Sequence, residues 1–138
     1  MSNYQNFGKF HTWLYRISGG LILGSVGSGR KILLLTTLGR KSGQQRTTPL
    51  VYMAHDEQCV IYGSNGGREN PPAWLLNLQA EPNATIEIGR KKIPVQANIA
   101  EDEQRSRLLP LAHAYNAHWK GYQENTKREI PLIVLTPA

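Results

Sequence analysis

Residues 36–50 read Thr-Thr-Leu-Gly-Arg-Lys-Ser-Gly-Gln-Gln-Arg-Thr-Thr-Pro-Leu, a basic turn bounded by glycines and followed by a further arginine. Gly39 and Gly43 admit positive φ and leave backbone N–H groups uncovered, so Arg40, Lys41, Ser42, Gln44 and Arg46 could converge on a phosphate or carboxylate. A hairpin tip whose charges are merely solvated would use the same residues. A second resting place for negative charge is expected at Ser64-Asn65-Gly66-Gly67, where a glycine loop leads into a helix whose first N–H groups are free. Further on, Tyr115, Trp119 and Tyr122 stand at i, i+4 and i+7, and a continuous helix would bring them onto one face with His118 beside them. Those rings could wall a flat pocket, and the hydroxyls and imidazole could donate a proton. Ordinary core packing accounts for most such stripes, and Trp74, one turn into its helix, has the same plain explanation.

These residues need a scaffold, and a chain of 138 residues is long enough to build one domain without metal or disulfides. Cys59 is the single cysteine, which rules out an intramolecular disulfide and points to a reduced, cytoplasmic setting. The formal charge of +6 suits nucleic acid, an anionic membrane or a polyanionic cofactor alike. The cations fall in separate turns, at 30–31, 40–41, 90–92 and 127–128, which fits a groove rimmed by loops better than a helix reading a major groove. His55 beside Asp56 and Glu57 lacks further ligands at workable spacing, so no metal is expected. There is no Gly-x-Ser-x-Gly elbow, and the scattered glycines at 19–29 precede a strand, where a dinucleotide fingerprint would follow one.

Residues 6–23 carry Phe7, Phe10, Trp13, Leu14, Ile17 and Leu21 at helical spacing, an amphipathic helix expected to pack on the sheet, with a membrane surface as the alternative. The apolar run 32–35 predicts a strand buried on both faces or central in a barrel, followed by strands over 47–54 and 59–63. Asn70 as N-cap and Pro71 at the first position predict a helix over 71–79. A hairpin over 84–88 and 93–99 follows, with Pro94 marking an edge or bulged strand. A helix from 101 to 118 and a closing strand over 130–135 complete the order α-β-β-β-α-β-β-α-β. Hairpins without βαβ alternation predict an α+β fold, a mostly antiparallel barrel with peripheral helices.

Leu33-Leu34-Leu35-Thr36-Thr37-Leu38-Gly39-Arg40-Lys41-Ser42-Gly43-Gln44 with Arg46 and Pro49-Leu50, then Gly63-Ser64-Asn65-Gly66-Gly67, Asn70-Pro71, Trp74, Leu76-Asn77-Leu78 and Pro82, and finally Ile130-Pro131-Leu132-Ile133-Val134, together resemble the deazaflavin-dependent nitroreductase and F420H2-dependent quinone reductase family. The resemblance covers nearly everything after Lys31. It implies a split β-barrel related to the FMN-binding pyridoxamine-phosphate oxidases, with residues 1–30 as helix and connection and 31–138 as the cofactor-binding domain. It further implies reduced coenzyme F420 as hydride donor, with an FMN-dependent relative on the same barrel as the alternative and a basic nucleic-acid-binding module third. The phosphodiester and glutamate tail of F420 would meet Arg40, Lys41, Ser42 and Arg46, its ring system would lie near Thr48, Pro49, Ser64 and Trp74, and Gly39, Gln44, Asn65 and Gly66 would also bind the cofactor. Ser64, Tyr115 and Tyr122 would position a small-molecule electron acceptor or relay its proton. Homodimerisation and peripheral membrane contact through the N-terminal helix complete the expected partners, with no nucleic acid among them. By the same resemblance, one member of the family has a lysine where Asn65 stands, and of its substrate-side tyrosines only Tyr122 is matched, Trp119 and Asn116 replacing others. That departure disfavours nitroimidazoles and leaves quinones or other flat electron-poor acceptors.

Overall fold

The computed structural model describes residues 25–26 and 30–138; the helix expected over 6–23 lies outside them. In chain order the elements are β1 (Ser25–Val26), β2 (Arg30–Leu38), β3 (Gln45–His55), β4 (Gln58–Tyr62), a 3-10 turn (Asn65–Gly67), α1 (Ala73–Ala80), β5 (Asn83–Ile88), β6 (Lys91–Ile99), α2 (Asp102–Tyr115), α3 (Ala117–Glu124) and β7 (Leu132–Pro137). Every pairing is antiparallel, in the order β1-β2-β3-β4-β7-β6-β5, and β5 returns to β2 through Leu34↔Glu87, Leu35↔Ile86 and Thr36↔Thr85. The six long strands thus close a barrel, as the hairpin pattern predicts.

The unbroken apolar runs become strands buried on both faces. On β4, Cys59 and Ile61 point into the barrel while Val60 and Tyr62 point out, and on β7 Ile133 and Leu135 alternate in the same way with Leu132 and Val134. The inner residues join Leu33, Leu35, Trp74 and Ile86 as the barrel core, and the outer ones pack under Leu108, Ala112 and Trp119 of α2 and α3. A solvated outer face would have required alternating polar residues.

Three local expectations are corrected. The helix forecast over 71–79 starts at Ala73, with extended Pro72 (φ −68°, ψ 150°) before it. Asn70 and Pro71 each precede a proline, and the proline ring disfavours helical ψ in the residue ahead of it. The helix forecast over 101–118 breaks at Asn116 (φ −140°, ψ 101°), whose Oδ1 accepts the His118 N–H at 3.0 Å and so starts α3. Finally, β6 is neither an edge nor bulged, since it pairs with both β5 and β7. Pro94 is accommodated where β7 runs out, its carbonyl accepting from Ala138 N at 2.9 Å.

Candidate active site

The barrel splits between β3 and β4. Their ladder covers only Met53↔Val60, Ala54↔Cys59 and His55↔Gln58, after which β4 continues on β7 while β3 stays with β2. Pro49, which has no N–H to give a ladder, stands in the stretch of β3 that β4 leaves unpaired. A cavity of about 240 Å³ opens there, lined by Pro49, Leu50 and Val51, by Ile61, Tyr62, Ser64 and Gly66, and by Asn116, His118, Trp119 and Tyr122 across the gap. Its walls are apolar and aromatic with a few hydroxyl, amide and imidazole groups, the composition that holds a flat organic ring and orients it.

The basic turn stands at the tip of the same β2–β3 hairpin. Arg46 and Pro49 are three residues apart on β3, which puts the turn about 10 Å from the cavity. The turn itself is tightly built. Gly39 N donates to Gln44 O and Gly43 N to Gly39 O, both at 2.8 Å, while Ser42 Oγ accepts from Gln44 N at 3.1 Å and from Arg46 Nη2 at 3.5 Å. Gly43 has φ +70°, as expected, whereas Gly39 is tight for space: a Cβ there would lie 2.6 Å from Ser42 Oγ and 3.0 Å from the Gln44 carbonyl oxygen. The amides of both glycines are therefore committed within the turn. Among the described residues it is the Lys41 and Ser42 amides that have no such partner, beside the exposed Arg40, Lys41 and Arg46 side chains. Beneath the turn, buried Asn77 of α1 accepts from Arg40 N and donates to Thr37 Oγ1, each at 3.1 Å.

Ser64 is buried at the cavity edge, and its Oγ makes no hydrogen bond to another described residue. Asn65 (φ 48°) donates its Nδ2 to Asn70 O at 3.0 Å, so its side chain staples its own loop. Tyr62 presents its ring to the cavity, tilted on Trp119 at 5.4 Å between centroids, and its hydroxyl meets His113 Nε2 at 3.2 Å. Burial raises the Tyr62 phenol above its ordinary value, opposed by Arg105 and Arg128. Burial also lowers the His113 imidazole, helped by Lys120 and Arg105 and opposed by Glu124. Both groups are thus held neutral.

Of the residues expected from the sequence, Pro49, Ser64, Gly66 and Tyr122 line the cavity together, and Gly39, Arg40, Lys41, Ser42, Gln44 and Arg46 form the turn beside it. Thr48 pairs with Leu35 next to the cavity wall. Trp74 does not reach the cavity; it is 6% exposed in the barrel core. Tyr115 stands behind Trp119 (6.1 Å between centroids), outside the lining, and its hydroxyl accepts from Lys31 N at 3.0 Å. The helix break at Asn116 separates it from Tyr122, undoing the common face that a continuous helix would have made. His118, Trp119 and Asn116, which the sequence placed near the substrate side, also line the cavity, whereas Tyr62 read only as a strand residue. Among the described residues no three His, Cys, Asp or Glu side chains gather as a metal would need, and no helix is long and apolar enough to cross a membrane.

Fold and site together define a split-barrel protein with a basic hairpin turn beside an aromatic-walled cavity. Residues 7–137 match the family model described as F420H2-dependent quinone reductase. An F420H2-dependent quinone reductase of Mycobacterium tuberculosis is 35% identical over 131 residues, covering 93% of this chain and 88% of the relative. Among solved structures, an F420-H2 dependent reductase, FDR-A, superposes with a TM-score of 0.69 at 32% identity over 75% of this chain and 92% of its own. A domain-swapped dimer matches with a TM-score of 0.72 at 26% identity, over 92% and 94% of the two chains. A pyridoxamine 5'-phosphate oxidase-like protein of Listeria innocua shares the fold at 14% identity (TM-score 0.56, 77% of this chain and 82% of its own). The chain belongs to the F420H2-dependent quinone reductase family, enzymes whose electron donor is reduced coenzyme F420.

Proposed function

We propose that this protein reduces a quinone, with the basic turn holding the anionic arm of F420 and the split between β3 and β4 holding its ring system against the acceptor. The observation that carries this reading is the continuity of the two features: one hairpin bears the Lys41 and Ser42 amides with three exposed cations at its tip and Pro49 at the cavity, about 10 Å on. That spacing and chemistry fit a phosphodiester-linked arm and a flat head. Bound reduced F420 supplies the hydride. The chain's share is alignment, exclusion of water and delivery of one proton for each hydride transferred, which together convert a quinone to its hydroquinone. We assign the orientation of the acceptor's carbonyl to Ser64 Oγ and the proton to the Tyr122 hydroxyl, because both residues line the cavity. Tyr115, with its hydroxyl already engaged by Lys31 N, is assigned to supporting Trp119. Trp119 and Pro49 form apolar walls on which a quinone ring can lie.

We also read the working assembly as a dimer of two copies, on the strength of the swapped dimer among its structural neighbours. The deciding experiment on function follows oxidation of reduced F420 by the purified protein with a naphthoquinone and with a nitroimidazole, beside a parallel FMN titration. Turnover of the quinone well above that of the nitro compound, with no FMN binding, supports the proposal. Tight FMN binding without F420 turnover would replace it with the flavin-dependent alternative.

A further inference from the structure

The loop that carries Ser64 and Gly66 to the cavity has little regular structure of its own beyond the 3-10 turn, yet its carbonyls converge on one side chain. Arg128, between α3 and β7, donates Nη2 to Gly63 O (3.0 Å) and Ser64 O (2.8 Å) and Nε to Arg68 O (2.9 Å). Arg128 is itself held, because Gln123 of α3 donates Nε2 to Arg128 O and accepts from Ile130 N, both at 2.8 Å. The loop also lies directly on α3: a Cβ on Gly67 would come within 3.3 Å of Tyr122 Cα. A second tie runs from Thr126 Oγ1 to Glu69 Oε1 at 3.1 Å. The cavity edge bearing Ser64 and the helix bearing Tyr122 are thus fastened to each other chiefly through the Arg128 guanidinium, which makes three of these hydrogen bonds.

We propose that Arg128 is a positioning residue, which fixes the Ser64 edge of the cavity against Tyr122 on α3 and thereby sets the geometry between the bound cofactor head and the acceptor. The inference rests on the function proposed above. A planar fork with several donors can satisfy three carbonyls at once, whereas a lysine ammonium on a flexible stem cannot match that geometry. Arg128 does not line the cavity, so its effect on turnover must pass through the loop.

The test uses Arg128→Lys and Arg128→Ala in the full chain. Amide hydrogen exchange at residues 64–68 is expected to quicken at least about tenfold in both variants, since charge-assisted bonds are lost. With a quinone acceptor, kcat should fall on the order of a hundredfold, the scale of a misplacement of about 1 Å, while the F420 dissociation constant changes less than about threefold because the basic turn is untouched. Guanidinium ion, added to Arg128→Ala at concentrations too low to unfold it, should restore both kcat and slow exchange. Should Arg128→Ala fail to fold, Arg128→Lys carries the same comparison. Unchanged exchange in a folded variant overturns the inference, as does a parallel loss of kcat and F420 affinity that guanidinium leaves unrepaired. If the wild-type protein ignores F420 altogether, the functional reading fails, and the exchange comparison alone then decides whether the guanidinium brace exists.

Discussion

Replacing Asn77 by leucine would remove the tie between α1 and the basic turn while keeping the same branching and number of side-chain heavy atoms. Asn77 is 5% exposed, and its amide accepts from Arg40 N and donates to Thr37 Oγ1, itself 2% exposed. Each lost hydrogen bond is worth about 0.5–1.5 kcal/mol, so Asn77→Leu should cost about 1–3 kcal/mol, with the added apolar surface offsetting part of it. An unfolding entropy of about 2.1 cal/mol/K per residue, over a chain of 138 residues, turns that into a Tm lower by about 3–10 °C. Asn77→Asp separates stability from binding. Its carboxylate still accepts from Arg40 N, and the Thr37 hydroxyl can turn to donate, so the fold should suffer less. A negative charge beneath an anion cradle should nevertheless weaken F420 on the order of tenfold at low salt, and less at high salt. Thermal unfolding and a fluorescence titration of F420 at two ionic strengths read both effects. The reasoning is refuted if Asn77→Leu melts with the wild type, or if Asn77→Asp binds F420 with wild-type affinity at low salt.

Other outcomes follow from the same geometry. Gly121→Ala should raise Tm by about 2–3 °C, because alanine is better than glycine inside a helix by about 1 kcal/mol and its Cβ meets nothing within 4 Å; a lower Tm would contradict this. Gly67→Ala should cost about 1–3 kcal/mol, from φ +81° and the contact with Tyr122, and calorimetry showing no loss would contradict the close approach. Because His113 is lowered in the fold, the unfolded chain takes up its proton first as pH falls. The stability linked to His113 is therefore complete above about 6.5 and is lost as pH drops through the lower folded value. Tm measured from about pH 7.5 to about pH 5 should fall more steeply for the wild type than for His113→Gln, and equal slopes would contradict the assignment.

Much of this architecture is legible locally. The apolar runs at 33–35, 59–62 and 132–135 announce strands covered on both sides, and alternation along 83–99 announces the hairpin. The glycine-bounded turn is readable because its bonds join residues at most five apart. What escapes a local reading joins distant residues. Arg128 grips carbonyls 60 to 65 positions away and Asn77 reaches back 37 and 40, and nothing in their neighbourhoods distinguishes them from other polar side chains. The break at Asn116 is readable afterwards: asparagine competes for backbone groups and favours caps, a local signal that the helical spacing of Tyr115, Trp119 and Tyr122 overrode. For Trp74 the sequence offers both core burial and a ligand contact, and its place in the barrel core follows the first, since a large aromatic one turn into a helix gains most by burying its surface.

The most direct test of the account is an equilibrium titration of oxidised F420 with the wild-type protein and with the Lys41→Ala/Arg46→Ala variant, repeated as salt is raised. At low salt the variant should bind about tenfold to a hundredfold more weakly, and the difference should shrink as salt screens the wild-type contacts. Equal affinity of the two proteins at every ionic strength would show that the hairpin tip does not hold the cofactor.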